Sequence, residues 1–294
     1  MGDKIRFFPL DVTYKVIDEK PVIHLFGRTA DNKQICVLYD DFEPYFYVIP
    51  KRGFDIAEQL KNFKLTRNNE TYSITRVETI KKRYLGKEVN ALKVFTKLPR
   101  DVPIISHELK NLSNIEAINE KDILFSRRFL IDKNITPLTL YEAEGSFGNQ
   151  NLRVPAFKAE KIEAFGTETF LKPKLLSIDI ETYTPLYREI KPEKNPIIML
   201  SFYAEDFEKV FVWKRFKTDL DYVEFVDSEA QLIEKFKEVI ETYKPDILTG
   251  YFSDGFDLPY IKTRADKYKI KLDLGLDFSE LKVSKGKVTT AQLT

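Results

Sequence analysis

Residues 175–182 read LLSIDIET, and this short stretch decides how the rest of the sequence is interpreted. Side chains of a β-strand alternate between two faces, so a strand here separates the apolar side chains at positions 176, 178 and 180 from Asp179 and Glu181. Two carboxylates side by side at the end of a buried strand repel each other, and a divalent cation removes that repulsion. The alternative is a strand that simply ends at a solvated edge. The stretch therefore predicts a buried strand and a candidate metal site.

A third acidic residue follows in the segment PDILTGYFSDGFDLPY, residues 245–260. Its start is typical of a strand, and Asp257 opens a helix after a loop in which Gly250 and Gly255 allow a tight backbone. A single Asp at a helix start is most often an N-cap. If both strands lie in one sheet, however, Asp257 joins Asp179 and the neighbouring glutamate. Three carboxylates suit a pair of cations that cleave a phosphodiester.

Composition limits the choice of metal and of protein class. The chain has 294 residues, enough for one large or two ordinary domains, with 43% hydrophobic and 32% charged residues. Its single cysteine, Cys36, excludes an internal disulfide, and with only two histidines a His/Cys zinc site is not expected. Any metal is therefore expected to be Mg²⁺ or Mn²⁺.

The net charge of +1 does not decide whether nucleic acid is bound. The sequence shows no apolar run of membrane-spanning length and no secretory signal, so we expect a cytoplasmic protein.

Periodicity predicts two successive modules. Residues up to about 133 are β-rich with two short helices, which indicates a compact α+β module whose second helix has Asp101 as its N-cap. Residues 142–157 are polar and contain two Gly and a Pro, which predicts a loop near the domain border. The remainder alternates strands and helices, and Ser228 and Gln231 have capping-box spacing at the start of one helix. The strands and helices of this second, α/β module are predicted at residues 171–182, 195–205, 209–213, 228–243, 245–251 and 257–269.

The two acidic segments resemble the first and second exonuclease motifs of family B DNA polymerases. The stretches that carry the resemblance are LLSIDIETYTP and LTGYFSDGFDLPYI, together with FVWKRFKTDLDYVEFVDSEAQLIEKF, FPLDVTYKVIDEKPVIHLFGR, FEPYFYVIP and DILFSRRFLIDKNITP. They are similar to the archaeal members and cover nearly the whole chain in consistent order. The resemblance implies a mixed β-rich amino-terminal domain, residues 1–135, that reads template DNA. Behind it, residues 136–294 would form a ribonuclease-H-like 3′–5′ exonuclease domain.

The resemblance also implies roles for individual residues of the second domain. Asp179, Glu181 and Asp257 would be the catalytic metal ligands for two Mg²⁺ or Mn²⁺ ions. Thr182 and Phe252 would line the path of a single-stranded 3′ end. Phe252 stands where Asn is usual, and Gly255 replaces another common Asn, so the contact to DNA differs here.

Several family motifs are missing from the sequence. The third exonuclease motif, a Tyr with an Asp four residues later, does not occur after Asp257, because the spacing from Tyr268 to Asp273 is one residue too long. The palm motifs for nucleotide addition are absent as well. We therefore expect a truncated chain, an incomplete gene product or one half of a split polymerase, with weak nuclease activity alone. Two alternatives stay open: a free-standing 3′–5′ exonuclease, and a DNA- or uracil-binding module whose nuclease half is only scaffold.

The front domain resembles the archaeal members in a pocket that captures template uracil. The matching residues are Tyr14, Pro44, Tyr45, Val102, Ile123, Phe125 and Arg128. Leu124 stands where Pro is usual, and Arg128 is expected to act on phosphate. The alternative is that these residues are ordinary core and surface positions. Basic runs such as residues 81–83 are commonly solvated surface. The partners that the resemblance implies are a single-stranded 3′ end, a template strand, a companion carboxy-terminal polymerase chain and a sliding clamp bound through that part, with no membrane.

Overall fold

The computed structural model describes residues 2–166, 170–185, 189–284 and 290–292. The chain divides into two compact units. The first comprises Met1–Gly148 and Ala156–Glu168, and the second Asn149–Pro155 and Thr169–Thr294. Among the described residues, no helix has the length and apolar character needed to cross a membrane.

The first unit contains ten strands and three helices among its described residues. The strands are β1 (Asp3–Ile17), β2 (Lys20–Thr29), β3 (Gln34–Tyr39), β4 (Tyr45–Pro50), β5 (Lys64–Arg67), β6 (Glu70–Tyr84), β7 (Lys87–Thr96), β8 (Ile115–Asn119), β9 (Tyr141–Gly148) and β10 (Ala156–Ala164). The helices are α1 (Ala57–Lys61), α2 (Asp101–Leu109) and α3 (Phe125–Asp132).

These strands form a closed barrel and an open sheet. The barrel has the order β1-β2-β3-β10-β9, and closure leaves it without an unpaired edge. Its core is filled by Phe7, Leu25, Phe129 and Phe157, all fully buried. The sheet has the order β5-β6-β7-β4-β8, and α1 and α2 contribute side chains to its apolar core. The predicted β-rich α+β character of the front part is confirmed.

Two local predictions for the front part are wrong. Residues 142–157 are not a loop, because β9 and β10 occupy most of this segment and pair with each other to close the barrel. Only residues 149–155 connect them, and the first unit consequently extends beyond residue 135. Because these strands place polar residues at the barrel surface, the alternation of apolar and polar side chains was not evident in the sequence. Asp101 is also not the N-cap of α2. It is the first helical residue, and its carboxylate accepts a hydrogen bond from the Leu98 amide at 3.1 Å.

The second unit is built on one mixed sheet. Its strands are β11 (Leu175–Thr182), β12 (Ile197–Ala204), β13 (Phe207–Val212), β14 (Val223–Phe225), β15 (Ile247–Thr249), β16 (Lys282–Ser284) and β17 (Thr290–Gln292), and its helices are α4 (Glu229–Tyr243) and α5 (Asp257–Tyr268). Five of these strands form the mixed sheet, in the order β14-β13-β12-β11-β15, with β11 antiparallel to β12 and parallel to β15. Strands β16 and β17 pair with each other in a separate two-stranded sheet. The expectation that the two motif-bearing strands share a sheet is therefore confirmed.

The helices of the second unit cover the apolar face of this sheet. Leu176, Ile178 and Ile180 of β11 are buried in a core that also contains Phe236 of α4 and Ile261 of α5. The capping prediction for α4 is confirmed. Ser228 is the N-cap, and its hydroxyl accepts a hydrogen bond from the Gln231 amide at 3.2 Å. Burial of one face of β11 leaves the other face free for polar side chains.

Candidate functional site

Strand β11 presents two acidic side chains on the face opposite the core. Along Leu175–Thr182 the buried positions are 176, 178 and 180, whereas Asp179 and Glu181 are exposed. The alternation inferred from LLSIDIET is thus the observed one. Strand β12 pairs with β11 alongside both carboxylates, whereas β15 pairs only with residues 175–177, so both carboxylates lie beyond the end of β15.

Asp257 reaches the same strand from α5. Its side chain is only 2% exposed, and Oδ1 accepts a hydrogen bond from the backbone amide of Ile180 at 3.1 Å. Asp257 is the first residue of the helix, and Phe256 holds the cap position without a side-chain cap bond. The N-cap alternative for Asp257 is therefore wrong. Its hydrogen bond goes across to β11.

Electrostatics link Asp257 to Asp179. Burial raises the pKa of the Asp257 carboxyl above its usual value of 3.8, and the negative charge of Asp179 raises it further. The Ile180 amide opposes this shift by stabilising the ionised form. The structure therefore brings Asp179 and Asp257 together as a pair whose charges repel.

The position of Glu181 is less constrained. It shares a strand face with Asp179. Within residues 2–166, 170–185 and 189–284, no group of three or more His, Cys, Asp or Glu side chains is placed closely enough to hold a metal. The donor chemistry nevertheless fits Mg²⁺ or Mn²⁺, because carboxylate oxygens are the ligands that these ions take and the mutual repulsion of Asp179 and Asp257 is what a cation relieves.

The loop between β15 and α5 packs tightly against β11. A Cβ atom on Gly250 would lie 2.5 Å from the Ile178 carbonyl oxygen, so only glycine permits this close approach. A Cβ on Gly255 would lie 2.3 Å from the ring of Phe252, which covers that glycine. Phe252 itself has φ of +59° and is 65% exposed. The loop thus holds an aromatic ring at the surface in a left-handed backbone conformation that suits Asn better. Thr182, at the end of β11, is half-buried.

Sequence reasoning missed a buried ion pair in the second unit. Arg264 of α5 is 1% exposed and Glu229 of α4 is 3% exposed. Arg264 Nε donates to Glu229 Oε1 at 2.6 Å, and a second guanidinium nitrogen donates to Oε2. Burial opposes the charge of Glu229, yet the hydrogen bonds from Arg264 and Tyr268 hold the pKa of its carboxyl below 4.5.

This ion pair anchors the segment that connects β11 to β12. Arg264 donates to the carbonyl oxygens of Pro192 and Glu193 at 3.0 and 3.2 Å, and the Ile197 amide donates to Glu229 at 2.8 Å. The Tyr260 hydroxyl donates to the Asn195 carbonyl oxygen at 3.0 Å. The one available sequence signal was spacing: residues 257, 260 and 264 fall on the same face of α5.

Four of the seven residues predicted for the front pocket are divided among three apolar clusters. The Tyr14 and Phe125 rings meet edge to face at 5.1 Å beside the barrel core, whereas Val102 belongs to the core of the open sheet. Tyr45 lies in a small third cluster. Phe42, which the sequence analysis did not single out, packs against both the barrel cluster and that of Tyr45. Pro44 is buried and Ile123 is 36% exposed.

Arg128 is engaged inside the protein. It is 5% exposed, and its guanidinium donates to the Glu120 side chain at 2.6 Å and to the Glu120 carbonyl oxygen at 3.2 Å. It also lies 4.8 Å from the ring centre of Tyr45, whose hydroxyl donates to Asp132 at 2.5 Å. This geometry corrects the expectation of a phosphate contact, because the cation is already satisfied and screened from solvent.

Comparison with known proteins identifies the family of this chain. The family model for DNA polymerase family B, exonuclease domain, matches residues 116–292. A DNA polymerase of Pyrococcus glycovorans is 36% identical over 97% of this chain and 32% of its own length. DNA polymerase 1 of Pyrococcus abyssi is 36% identical over 94% of this chain and 31% of its own length.

A solved structure gives the same result. The family B DNA polymerase from the hyperthermophilic archaeon Pyrobaculum calidifontis superposes with a TM-score of 0.81 and 25% identity, covering 95% of this chain and 35% of that one. The sheet of the second unit is consistent with the predicted ribonuclease-H-like fold. The chain spans about a third of the length of these relatives. By family match and by structure, this chain belongs to the family B DNA polymerases and carries the exonuclease domain of that family.

Proposed function

We propose that this chain supplies a metal-dependent 3′–5′ exonuclease site that trims single-stranded 3′ ends, as part of a DNA-directed DNA polymerase. The observation that carries the proposal is the Asp179–Asp257 pair. A buried carboxylate is held by a strand amide next to a second carboxylate. Such repulsion is costly for a purely structural pair and useful for cation binding.

The proposed roles follow from the chemistry of each side chain. Asp179 and Asp257 would hold Mg²⁺ or Mn²⁺, and Glu181 would add a third carboxylate from the same face of β11. Bound divalent cations in such sites activate water and stabilise the leaving oxygen of a phosphodiester. Thr182 and the exposed ring of Phe252 would line the path of the 3′ end.

Cation binding and DNA cleavage test the proposal together. Mn²⁺ should raise the melting temperature of the parent chain but not that of Asp179→Ala, because the variant lacks a ligand. Asp221→Ala, which removes an exposed acid elsewhere in the same unit, is the matched control and should retain the shift. Digestion of 5′-labelled single-stranded DNA should depend on the same cation. Digestion that survives Asp179→Ala would overturn the assignment.

The second candidate function is recognition of template uracil by the front unit. It is supported by exposed apolar side chains at Ile123 and Leu124, 36% and 64% exposed, next to the Tyr14–Phe125 ring pair. An apolar slot lined by such side chains could receive an everted base. The buried side chains of Pro44, Tyr45 and Val102 would form its walls. Arg128, which is hydrogen-bonded to Glu120, would support the Tyr45 ring directly rather than bind phosphate.

Uracil and thymine differ by one methyl group, which makes the test direct. One methyl in a tight pocket changes affinity by about 10–200-fold, and we expect the lower end because Leu124 replaces Pro. Fluorescence anisotropy with two oligonucleotides differing at one base measures the preference, which Val102→Gln should abolish. Equal affinities in the parent chain would mean that these residues only pack.

A companion carboxy-terminal polymerase chain and a sliding clamp are further proposed partners, supported by family membership alone.

A further inference from the structure

The first unit contains three two-residue hairpin turns that have the same backbone geometry but different types of residue. They join β1 to β2 at Asp18–Glu19, β5 to β6 at Asn68–Asn69, and β6 to β7 at Leu85–Gly86. Both central residues of each turn have positive φ, between 47° and 80°. Asn, Asp and Gly tolerate this conformation, which is why such turns favour them. Glu19, with φ of +62°, and Leu85, with φ of +48°, are the two turn residues outside this group, and Leu85 is the apolar one of the two.

Packing does not explain Leu85. Its side chain is 83% exposed, the highest value among the exposed aliphatic side chains of the described residues. A strained conformation is normally retained because the surroundings compensate for its cost or because function requires it. An exposed side chain has little packing to provide that compensation, so this turn is a candidate for a functional role.

The outer part of the β6–β7 hairpin is a two-stranded ribbon. The strands pair from Ile74 with Thr96 to Tyr84 with Lys87. Strand β4 covers the other edge of β7 only between Leu92 and Phe95, as far as the described residues show. Residues 80–91 therefore form a ribbon whose tip, residues 83–88, is almost entirely exposed.

The cations of the ribbon fall into two groups. Lys81 and Lys82 are used within the protein, in ion pairs with Glu88 and Glu120 at 3.1 Å each. Arg83 and Lys87 are exposed, and their side chains form no ion pair or hydrogen bond with any residue that the structure describes. These two free cations flank Leu85 in sequence, one on each strand.

We propose that this ribbon tip is a DNA-binding element that enters the major groove of a duplex. The major groove admits a two-stranded β-ribbon. Arg83 and Lys87 would contact phosphates on either side, and Leu85 would contact base edges in the groove. An aliphatic tip favours a duplex over a single strand, because single strands are bound by stacking on aromatic rings. The proposal is independent of the proposed nuclease and uracil sites.

Salt dependence of duplex binding tests the two cations. The full chain is titrated by fluorescence anisotropy into a labelled blunt duplex of about two helical turns, with chelator present so that no cleavage occurs. Each phosphate contact contributes about 0.9 to the slope of log affinity against log salt, so Arg83→Gln/Lys87→Gln should lower the slope by about 2. Lys64→Gln/Arg67→Gln makes the same charge change on exposed residues of β5 and should leave the slope within about 0.5 of the parent value.

The tip residue has an independent test that a folding defect cannot imitate. Leu85→Asn gives the turn a residue that it prefers, so the melting temperature should rise or stay the same. Duplex affinity should nevertheless fall about fivefold, because the apolar contact is lost. The proposal would be overturned if the two double variants had equal slopes, or if Leu85→Asn left duplex affinity unchanged. It would also be overturned if Leu85→Asn lost as much affinity for the matching single strand as for the duplex.

Discussion

Replacing Arg264 with methionine should destabilise the second unit strongly, because it leaves a buried carboxylate without its cation. Arg264 and Glu229 are almost completely buried and share two hydrogen bonds. The guanidinium also donates to the carbonyl oxygens of Pro192 and Glu193. Methionine preserves much of the side-chain volume, so the lost charge and hydrogen bonds account for most of the effect.

The expected magnitude follows from burial. Removing one partner of a buried, hydrogen-bonded ion pair costs about 3–5 kcal/mol of unfolding free energy. The matched control is Arg215→Met, since Arg215 pairs with Asp227 at 3.5 Å while both side chains are more than two-thirds exposed. Such exposed pairs contribute about 0–1 kcal/mol. The double variant Glu229→Gln/Arg264→Met should lose less than Arg264→Met alone, because no charge is then stranded.

The single tryptophan provides the assay. Trp213 belongs to the second unit, and its indole nitrogen donates to the Ile197 carbonyl oxygen at 2.5 Å, while the Ile197 amide donates to Glu229. Urea unfolding followed by tryptophan fluorescence therefore reports on the segment that the ion pair anchors. The reasoning fails if Arg264→Met lies within about 1 kcal/mol of the Arg215→Met control, or if the double variant costs at least as much as Arg264→Met alone.

The same pair predicts the sign of a pH effect. Burial raises the pKa of Glu229, but hydrogen bonds from Arg264, Tyr268 and the Ile197 amide outweigh it and hold the pKa below 4.5. The ionised carboxylate therefore contributes stability that is fully present above pH 4.5 and is lost as pH falls through the lower pKa of the folded state. The stability gap between the parent chain and Glu229→Gln should accordingly shrink below pH 4.5.

Three further outcomes are expected. Burial and the charge of Asp179 raise the pKa of Asp257 above 3.8, so its ionisation lowers stability as pH rises through the raised pKa. Without metal, Asp257→Asn should therefore have a higher urea midpoint than the parent chain at pH 8, and the difference between the two midpoints should shrink toward pH 3.8. A parent chain that is more stable at every pH would contradict this. Phe252→Asn should raise the melting temperature, because Asn tolerates φ of +59° and the substitution relieves about 1 kcal/mol of backbone strain. A lower melting temperature would show that packing of the Phe252 ring on Gly255 outweighs this strain. Primer extension with Mg²⁺ and all four nucleotides should give no product from this chain, because its sequence has no palm motif, and clear extension would refute that inference.

Several features of the site were predictable because they depend on local sequence. Alternation along LLSIDIET predicted the exposed face that holds Asp179 and Glu181, since the strand period is two in any sheet. The cap of α4 was predictable because the Ser228 hydroxyl and the Gln231 amide are three residues apart. The family motifs were equally readable, because they too are short and continuous.

Predictions of other features failed where the deciding contact joins residues that are distant in sequence. The segment 142–157 has the composition of a loop, yet closure of the barrel makes most of it two strands. Asp257 has the position of a helix cap, yet its hydrogen bond crosses 77 residues to the Ile180 amide. Arg128 stands in a basic run, yet Glu120 and Tyr45 enclose it.

The sequence by itself determined the main strands and helices of the second unit, though not β14, β16 or β17, and the family. It also identified the candidate metal-binding residues. Only the tertiary structure decided which of those residues meet. It pairs Asp179 with Asp257, buries Arg264 against Glu229, and leaves Leu85 exposed at a strained turn. The physical reason is that secondary structure responds to periodicity and turn chemistry within a few residues. Burial and pairing depend instead on contacts between distant segments, and no single segment contains the free energy of those contacts.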